Sequence, residues 1–148
     1  MKNKTFKIIL LIFSFLFFSH SCSNREETVS CFPIQNISLE LNLNLPAYYK
    51  LNNVGGWIYV NEVGAGNRGL IIVRSTTGFI AYDRNAPHLC PDGDNTILKV
   101  VDNIKIVCPK DDAEWILLTG QPTKVAKVNP KIYRVIYNSN MNTISIYN

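Results

Sequence analysis

The residues able to bind metal or move protons fall in two short stretches, Ala86-Pro87-His88-Leu89-Cys90 and Cys108-Pro109-Lys110-Asp111. Imidazole nitrogen, thiolate sulfur and carboxylate oxygen are the donor types of zinc sites. His88, Cys108 and Asp111, with Cys90 beside them, are therefore candidates for a mononuclear metal centre if the fold brings the stretches together. Their spacing lies outside the usual zinc patterns, and Cys90 and Cys108 cannot ligate while joined to each other. Asp111, Asp112 and Glu114 do not make a glycosidase pair, because adjacent strand residues point to opposite faces and cannot flank one sugar. A nucleophile, histidine and acid arrangement is equally unsupported: His88 is the one histidine besides His20, and no nucleophile elbow precedes a helix.

The elements that must position these residues read as strands. Residues 37–45 alternate apolar and polar without a break, which puts the leucines on one face, and Pro46 ends the run. Residues 57–60 and 70–73 are short apolar runs separated by Gly64-Ala65-Gly66-Asn67. That segment lacks the third glycine of a dinucleotide loop, and the β-branched run after it is no helix to receive a phosphate. Residues 79–82, 97–101, 104–108, 115–118, 131–137 and 143–147 add six runs rich in β-branched and aromatic residues. Asp102-Asn103 and residues 138–142 suit hairpin turns, since Asn and Asp tolerate the left-handed conformation. Beyond residue 21 no window carries a sustained helical period, so an all-β sandwich or partly open barrel is predicted. Trp57, Tyr59, Tyr48 and Tyr49 read as aromatics filling sheet faces rather than as a ligand patch.

Before this domain, Lys2, Lys4 and Lys7 precede an apolar stretch over residues 8–18, and Ser19-His20-Ser21-Cys22 closes it with small residues. The pattern is that of a secretory leader, too short for a membrane span. Its end resembles a bacterial lipobox, which implies cleavage after residue 21 and acylation of Cys22, whose lipid chains would hold the domain to a membrane. Residues 1–21 are then signal peptide, residues 22–36 the acylated cysteine and tether, and residues 37–148 one β domain. The polar Ser23-Asn24-Arg25-Glu26-Glu27 is similar to acidic tethers of Bacteroidota-like lipoproteins. A cell-envelope location follows from that likeness, on the outer membrane, facing the periplasm or the surface. Removing the leader takes three lysines and no acid, so the formal charge falls from +4 to +1. No basic face remains to argue for nucleic acid.

The two stretches and their surroundings also resemble a Rieske domain, in which C-x-H and C-x-x-H loops hold a two-iron, two-sulfur cluster through two thiolates and two imidazoles. Residues 79–84 resemble the strand entering the first cluster loop, Ala86 stands at its cysteine position and His88 at its histidine. Residues 100–107 look like the hairpin leading to the second loop, where Cys108 and Pro109 match and Asp111 replaces the second histidine. Asp112-Ala113 occupies the Gly-Ser positions that follow, and Trp115 matches the family aromatic. Gly120, Pro122, Pro130, Tyr133, Val135, Ile144 and Ile146 then follow the usual close of the domain, so the likeness covers roughly residues 39–147.

The resemblance implies an antiparallel β-sandwich with a small two-loop, cluster-type subdomain. It also implies that His88 and Cys108 are the surviving ligand positions, with Ala86 and Asp111 substituted. One imidazole per chain cannot complete the ordinary set, a carboxylate is a harder donor, and Ala113 cannot supply the serine hydroxyl that helps tune the cluster. The expectation is a domain without a cofactor and with no catalytic residues, in a structural or binding role. The alternative is an oxidoreductase-type electron-transfer protein that keeps a two-iron two-sulfur cluster through unusual ligands and serves a membrane redox partner.

If Cys22 is acylated, Cys31, Cys90 and Cys108 allow one disulfide and one leftover thiol, and sequence does not fix which. Some Rieske proteins join their two cluster loops by a disulfide. By that likeness a Cys90–Cys108 bond is expected.

Overall fold

The computed structural model describes residues 28–148, so the leader, Cys22 and the Ser-Asn-Arg-Glu-Glu stretch lie outside the described residues. Among the described residues ten strands form two antiparallel sheets. The larger contains β1 (Ser38–Asn42), β2 (Trp57–Val60), β3 (Leu70–Arg74), β4 (Phe79–Asp83), β9 (Ile132–Asn138) and β10 (Thr143–Tyr147) in the order β1-β10-β9-β4-β3-β2. The smaller is β5 (Lys99–Val101), β6 (Lys105–Cys108), β7 (Ala113–Ile116) and β8 (Pro122–Lys124), paired in sequence order. Among the described residues no helix is long and apolar enough to cross a membrane.

This is the all-β arrangement that the Rieske likeness implies: an antiparallel base and a small sheet, with one loop running from β4 of the base to β5 and the other between β6 and β7 of the small sheet. Most strands overlap the expected runs, but β1 stops at Asn42 and β7 starts at Ala113, two residues before its run, and a short 3-10 helix, Gly93–Thr96, lies in the first loop. Asp102 and Asn103 take φ of 54° and 58° at the β5–β6 turn. Two further elements differ from expectation. Pro46 starts a short 3-10 helix, Pro46–Asn52, because its fixed φ suits a first helical position; this places Tyr48 and Tyr49 outside any strand. Strand β8 carries a proline at its first residue and no apolar alternation, and it pairs only at the sheet's edge.

The core has two compartments divided by β3. Leu70 and Ile72 face one compartment with Leu41, Leu43, Leu51, Ile144 and Ile146. Ile71 and Val73 face the other with Tyr82, Leu98, Ile106, Cys108 and Trp115. The four apolar residues of β3, Leu70 to Val73, are all buried because both faces are covered, which is why they form a continuous apolar run. Gly120 takes φ of 71° after β7, and a Cβ there would lie 3.0 Å from the Tyr82 ring. A side chain there would strain the backbone and crowd that ring, which favours glycine.

Candidate functional site

The first loop leaves β4 at Asp83, a buried carboxylate that anchors its stem. Asp83 accepts the Tyr133 hydroxyl at 2.7 Å, the Asn85 backbone N–H at 2.7 Å and the Asn85 side-chain amide at 2.8 Å. Burial, and then this hydrogen bond to a carboxylate, push the Tyr133 phenol well above the usual tyrosine range. The stem closes through an Asn85–Ile97 bridge and the Ala86 N–H bonded to the Thr96 carbonyl. His88 and Cys90 thus sit on a loop held at both ends.

The second loop is the tight turn between β6 and β7. Asp112 N–H donates to the Cys108 carbonyl at 3.0 Å, and Asp112 itself takes φ of 56°. An aspartate therefore fills the left-handed position where the Rieske likeness has glycine, which Asp tolerates better than most side chains. Asp111 Oδ1 accepts the Ala113 N–H at 3.2 Å, leaving Oδ2 turned toward the first loop.

Three contacts join the loops. His88 Nε2 and Asp111 Oδ2 share a hydrogen bond of 2.6 Å. Lys110 Nζ pairs with the Asp92 carboxylate, and the Cys108 thiol donates to the Asn95 carbonyl at 3.9 Å, a weak sulfur bond. Trp115 is fully buried, donates its indole N–H to the Val128 carbonyl at 2.8 Å, and lies edge-on to the His88 ring with centroids 5.5 Å apart. His88 Nδ1 is buried without a hydrogen-bond partner among the described residues.

Electrostatics separate the two remaining candidates. Desolvation opposes ionisation of Asp111, but hydrogen bonds from His88, Cys108 and the Ala113 N–H outweigh it and hold the carboxyl below its ordinary range. For Cys108 burial dominates and pushes the thiol up, with the neighbouring Asp111 adding to it against the backbone N–H groups. Cys108 is therefore a protonated, shielded thiol at neutral pH.

The expected Cys90–Cys108 disulfide is not formed. Cys90 is bonded to Cys31, with Cα atoms 5.4 Å apart, and Cys108 is free and buried. The physical reason is the course of residues 29–37, which run beside the first loop. Val29 N–H donates to the Pro87 carbonyl at 2.9 Å, and Asn148 bridges Gln35 and Ile37. The described part of the expected tether is thus strapped to the domain from Val29 onward. Cys108, meanwhile, points into the second core compartment. Polar spacing over 23–27 gave no sign of this, and Cys31 itself was the only signal available.

A two-iron two-sulfur cluster does not fit these residues. Ala86, at the missing thiolate position, is 1% exposed in the second core compartment and has no donor atom. Asp111 brings a carboxylate where a second imidazole is needed, and it is hydrogen-bonded to His88. What the site does offer is one nitrogen, one sulfur and one oxygen donor, from His88, Cys108 and Asp111, all within 4.8 Å of one another. The other aromatics noted in the sequence lie elsewhere: Trp57 donates to Asn103 at 2.9 Å and the Tyr59 hydroxyl accepts the Val100 N–H at 2.8 Å, so both brace the sheets. The Tyr48 hydroxyl bonds Glu62, whose carboxylate, together with burial, pushes that phenol up to about 12.

No protein-family model matches the chain, and no curated protein matches it. Among solved structures it is similar to the ferredoxin of carbazole 1,9a-dioxygenase from Nocardioides aromaticivorans. Identity there is 17% and the TM-score 0.42, over 77% of this chain and 98% of that one. It is also similar to a chain from a complex of reduced oxygenase and oxidized ferredoxin in carbazole 1,9a-dioxygenase. There identity is 20% and the TM-score 0.44, over 76% of this chain and 94% of that one.

Proposed function

We propose that this chain is an exported, lipid-anchored binding or structural protein built on a Rieske-like domain without a two-iron two-sulfur cluster, its loops joined instead by side chains. The observation that carries this reading is the 2.6 Å hydrogen bond between His88 Nε2 and Asp111 Oδ2, which links the two ligand-bearing loops directly. Ala86 supports it, since a buried methyl group stands at a thiolate position. The Cys31–Cys90 bond supports export, because structural disulfides persist in oxidising compartments. Acylation of Cys22 would place the domain in the cell envelope, seven residues of chain from the strap that begins at Val29.

Two measurements test this. Iron and acid-labile sulfide in anaerobically purified chain are expected well below one equivalent; two of each per chain would instead establish the electron-transfer alternative with unusual ligands. Mass spectrometry of the membrane fraction is expected to find a diacylglyceryl modification on Cys22. Unmodified Cys22 in soluble protein would remove the anchor and leave the cluster question untouched.

A further inference from the structure

We infer that His88, Cys108 and Asp111 form a site for a single divalent cation of zinc's class, with water at the remaining position. This rests on the cluster-free reading above, because a cluster would occupy the same loops.

The geometry is close to what such an ion needs. Bond lengths of about 2.0–2.3 Å at tetrahedral angles put donor atoms about 3.3–3.6 Å apart. The three donors lie within 4.8 Å of one another, and the His88–Asp111 pair is at 2.6 Å. Inserting an ion therefore asks His88 and Asp111 to separate by about an ångström, and Cys108, no more than 4.8 Å from either, to close by little more than that at most.

The loops are already fixed in place. The disulfide at Cys90 lies two residues beyond His88, and the Asp112 turn fixes Cys108 relative to Asp111. Asp111 Oδ1 is committed to the Ala113 N–H, so the carboxylate offers Oδ2 as a single ligand. Cys108 forms the closed floor, while the His88 and Asp111 side chains are 17% and 25% exposed and leave a mouth for the ion and its water. Trp115 walls the histidine side.

Donor type selects the metal. Calcium and magnesium take oxygen ligands, whereas a nitrogen, sulfur and oxygen set suits a borderline-soft ion such as zinc or cobalt. Charge also closes: the Cys108 thiol proton leaves to solvent as the metal–sulfur bond forms, and thiolate plus carboxylate neutralise the dication. Imidazole ligates in its neutral form, its ring proton on the nitrogen away from the metal.

The experiment titrates chelator-treated mature chain, its disulfide intact, with cobalt(II) alone. One equivalent is expected to produce thiolate-to-cobalt absorption in the near ultraviolet and the visible bands of a four-coordinate ion, both displaced by zinc. Cys108→Ser is expected to abolish the near-ultraviolet band, and His88→Ala and Asp111→Asn to weaken binding about tenfold or more. Near-ultraviolet circular dichroism, which reads the buried Trp115, confirms that each variant is folded. Absence of the thiolate band in the folded parent chain would overturn the inference, as would unchanged affinity in folded His88→Ala and Asp111→Asn. Iron and sulfide measured on the same preparation keep the two failures apart. Without either, a blank cobalt titration removes this site and leaves the cluster-free reading standing. Stoichiometric iron and sulfide remove both.

Discussion

The base sheet and the loop end of the small sheet are held together by different physics. In the base, Leu41, Leu70, Ile72, Ile144 and Ile146 bury apolar side chains against one another, and many exchangeable contacts share the work. At the loop end the connection between loops rests on a few specific links, a His–Asp hydrogen bond, the Lys110–Asp92 pair and a weak sulfur bond, while a disulfide ties the first loop to the strap. Packing tolerates substitution by degrees, whereas specific links are present or absent. The loop end is thus the part of the domain whose state one bond can change.

The largest effect expected is at the seam between the regions. Trp115→Ala removes a fully buried indole and its bond to Val128, and should destabilise the domain by about 3–5 kcal/mol in denaturant unfolding. A cost below that of Leu41→Ala, itself expected at about 2–5 kcal/mol, would mean that the small sheet contributes little to the whole. Next, joint replacement of Cys31 and Cys90 by serine opens a bond spanning 59 residues and should cost about 2–4 kcal/mol. Hydrogen exchange should rise first over residues 29–37 and 87–95 and leave β9 and β10 protected. Uniform acceleration across both sheets would erase the contrast between regions.

Tyr133→Phe strips one hydrogen bond from buried Asp83 and should cost about 1–3 kcal/mol. Smaller still is the contribution of the loop pair. Because the folded Asp111 carboxyl lies below its ordinary value, its stabilisation is present at pH above the usual aspartate range and is lost as pH falls through the depressed folded value. Asp111→Asn should flatten that acid limb in pH-dependent unfolding while changing neutral stability by about 1 kcal/mol or less. An acid limb of unaltered slope would show that the pair does not stabilise the fold. The Cys108 thiol, raised by burial, should alkylate only on unfolding; rapid labelling of folded protein would contradict its burial.

Most of the base was legible in the sequence, because alternation over residues 37–45 and the apolar run at 70–73 mark strands, whereas the cover on both faces of the second run shows only in the fold. The Asp102-Asn103 turn was equally readable, since few residue pairs accept two positive φ values. The meeting of His88, Cys108 and Asp111 could be anticipated only through the order of residues around them, because contact between separate loops leaves no local period. The disulfide was misassigned for the same reason. Pairing depends on where a strap with no regular structure happens to run, and the Val29–Pro87 bond that routes it past Cys90 uses backbone atoms, which no side-chain pattern encodes. Strand β8 escaped because an edge strand needs only backbone pairing and carries no apolar signature.

The central claim, that these loops are closed by side chains rather than by iron and sulfur, is tested most directly by low-temperature electron paramagnetic resonance of the dithionite-reduced, anaerobically purified full chain. The account predicts no Rieske-type signal. A stoichiometric signal that disappears in His88→Ala and in Cys108→Ser would contradict it.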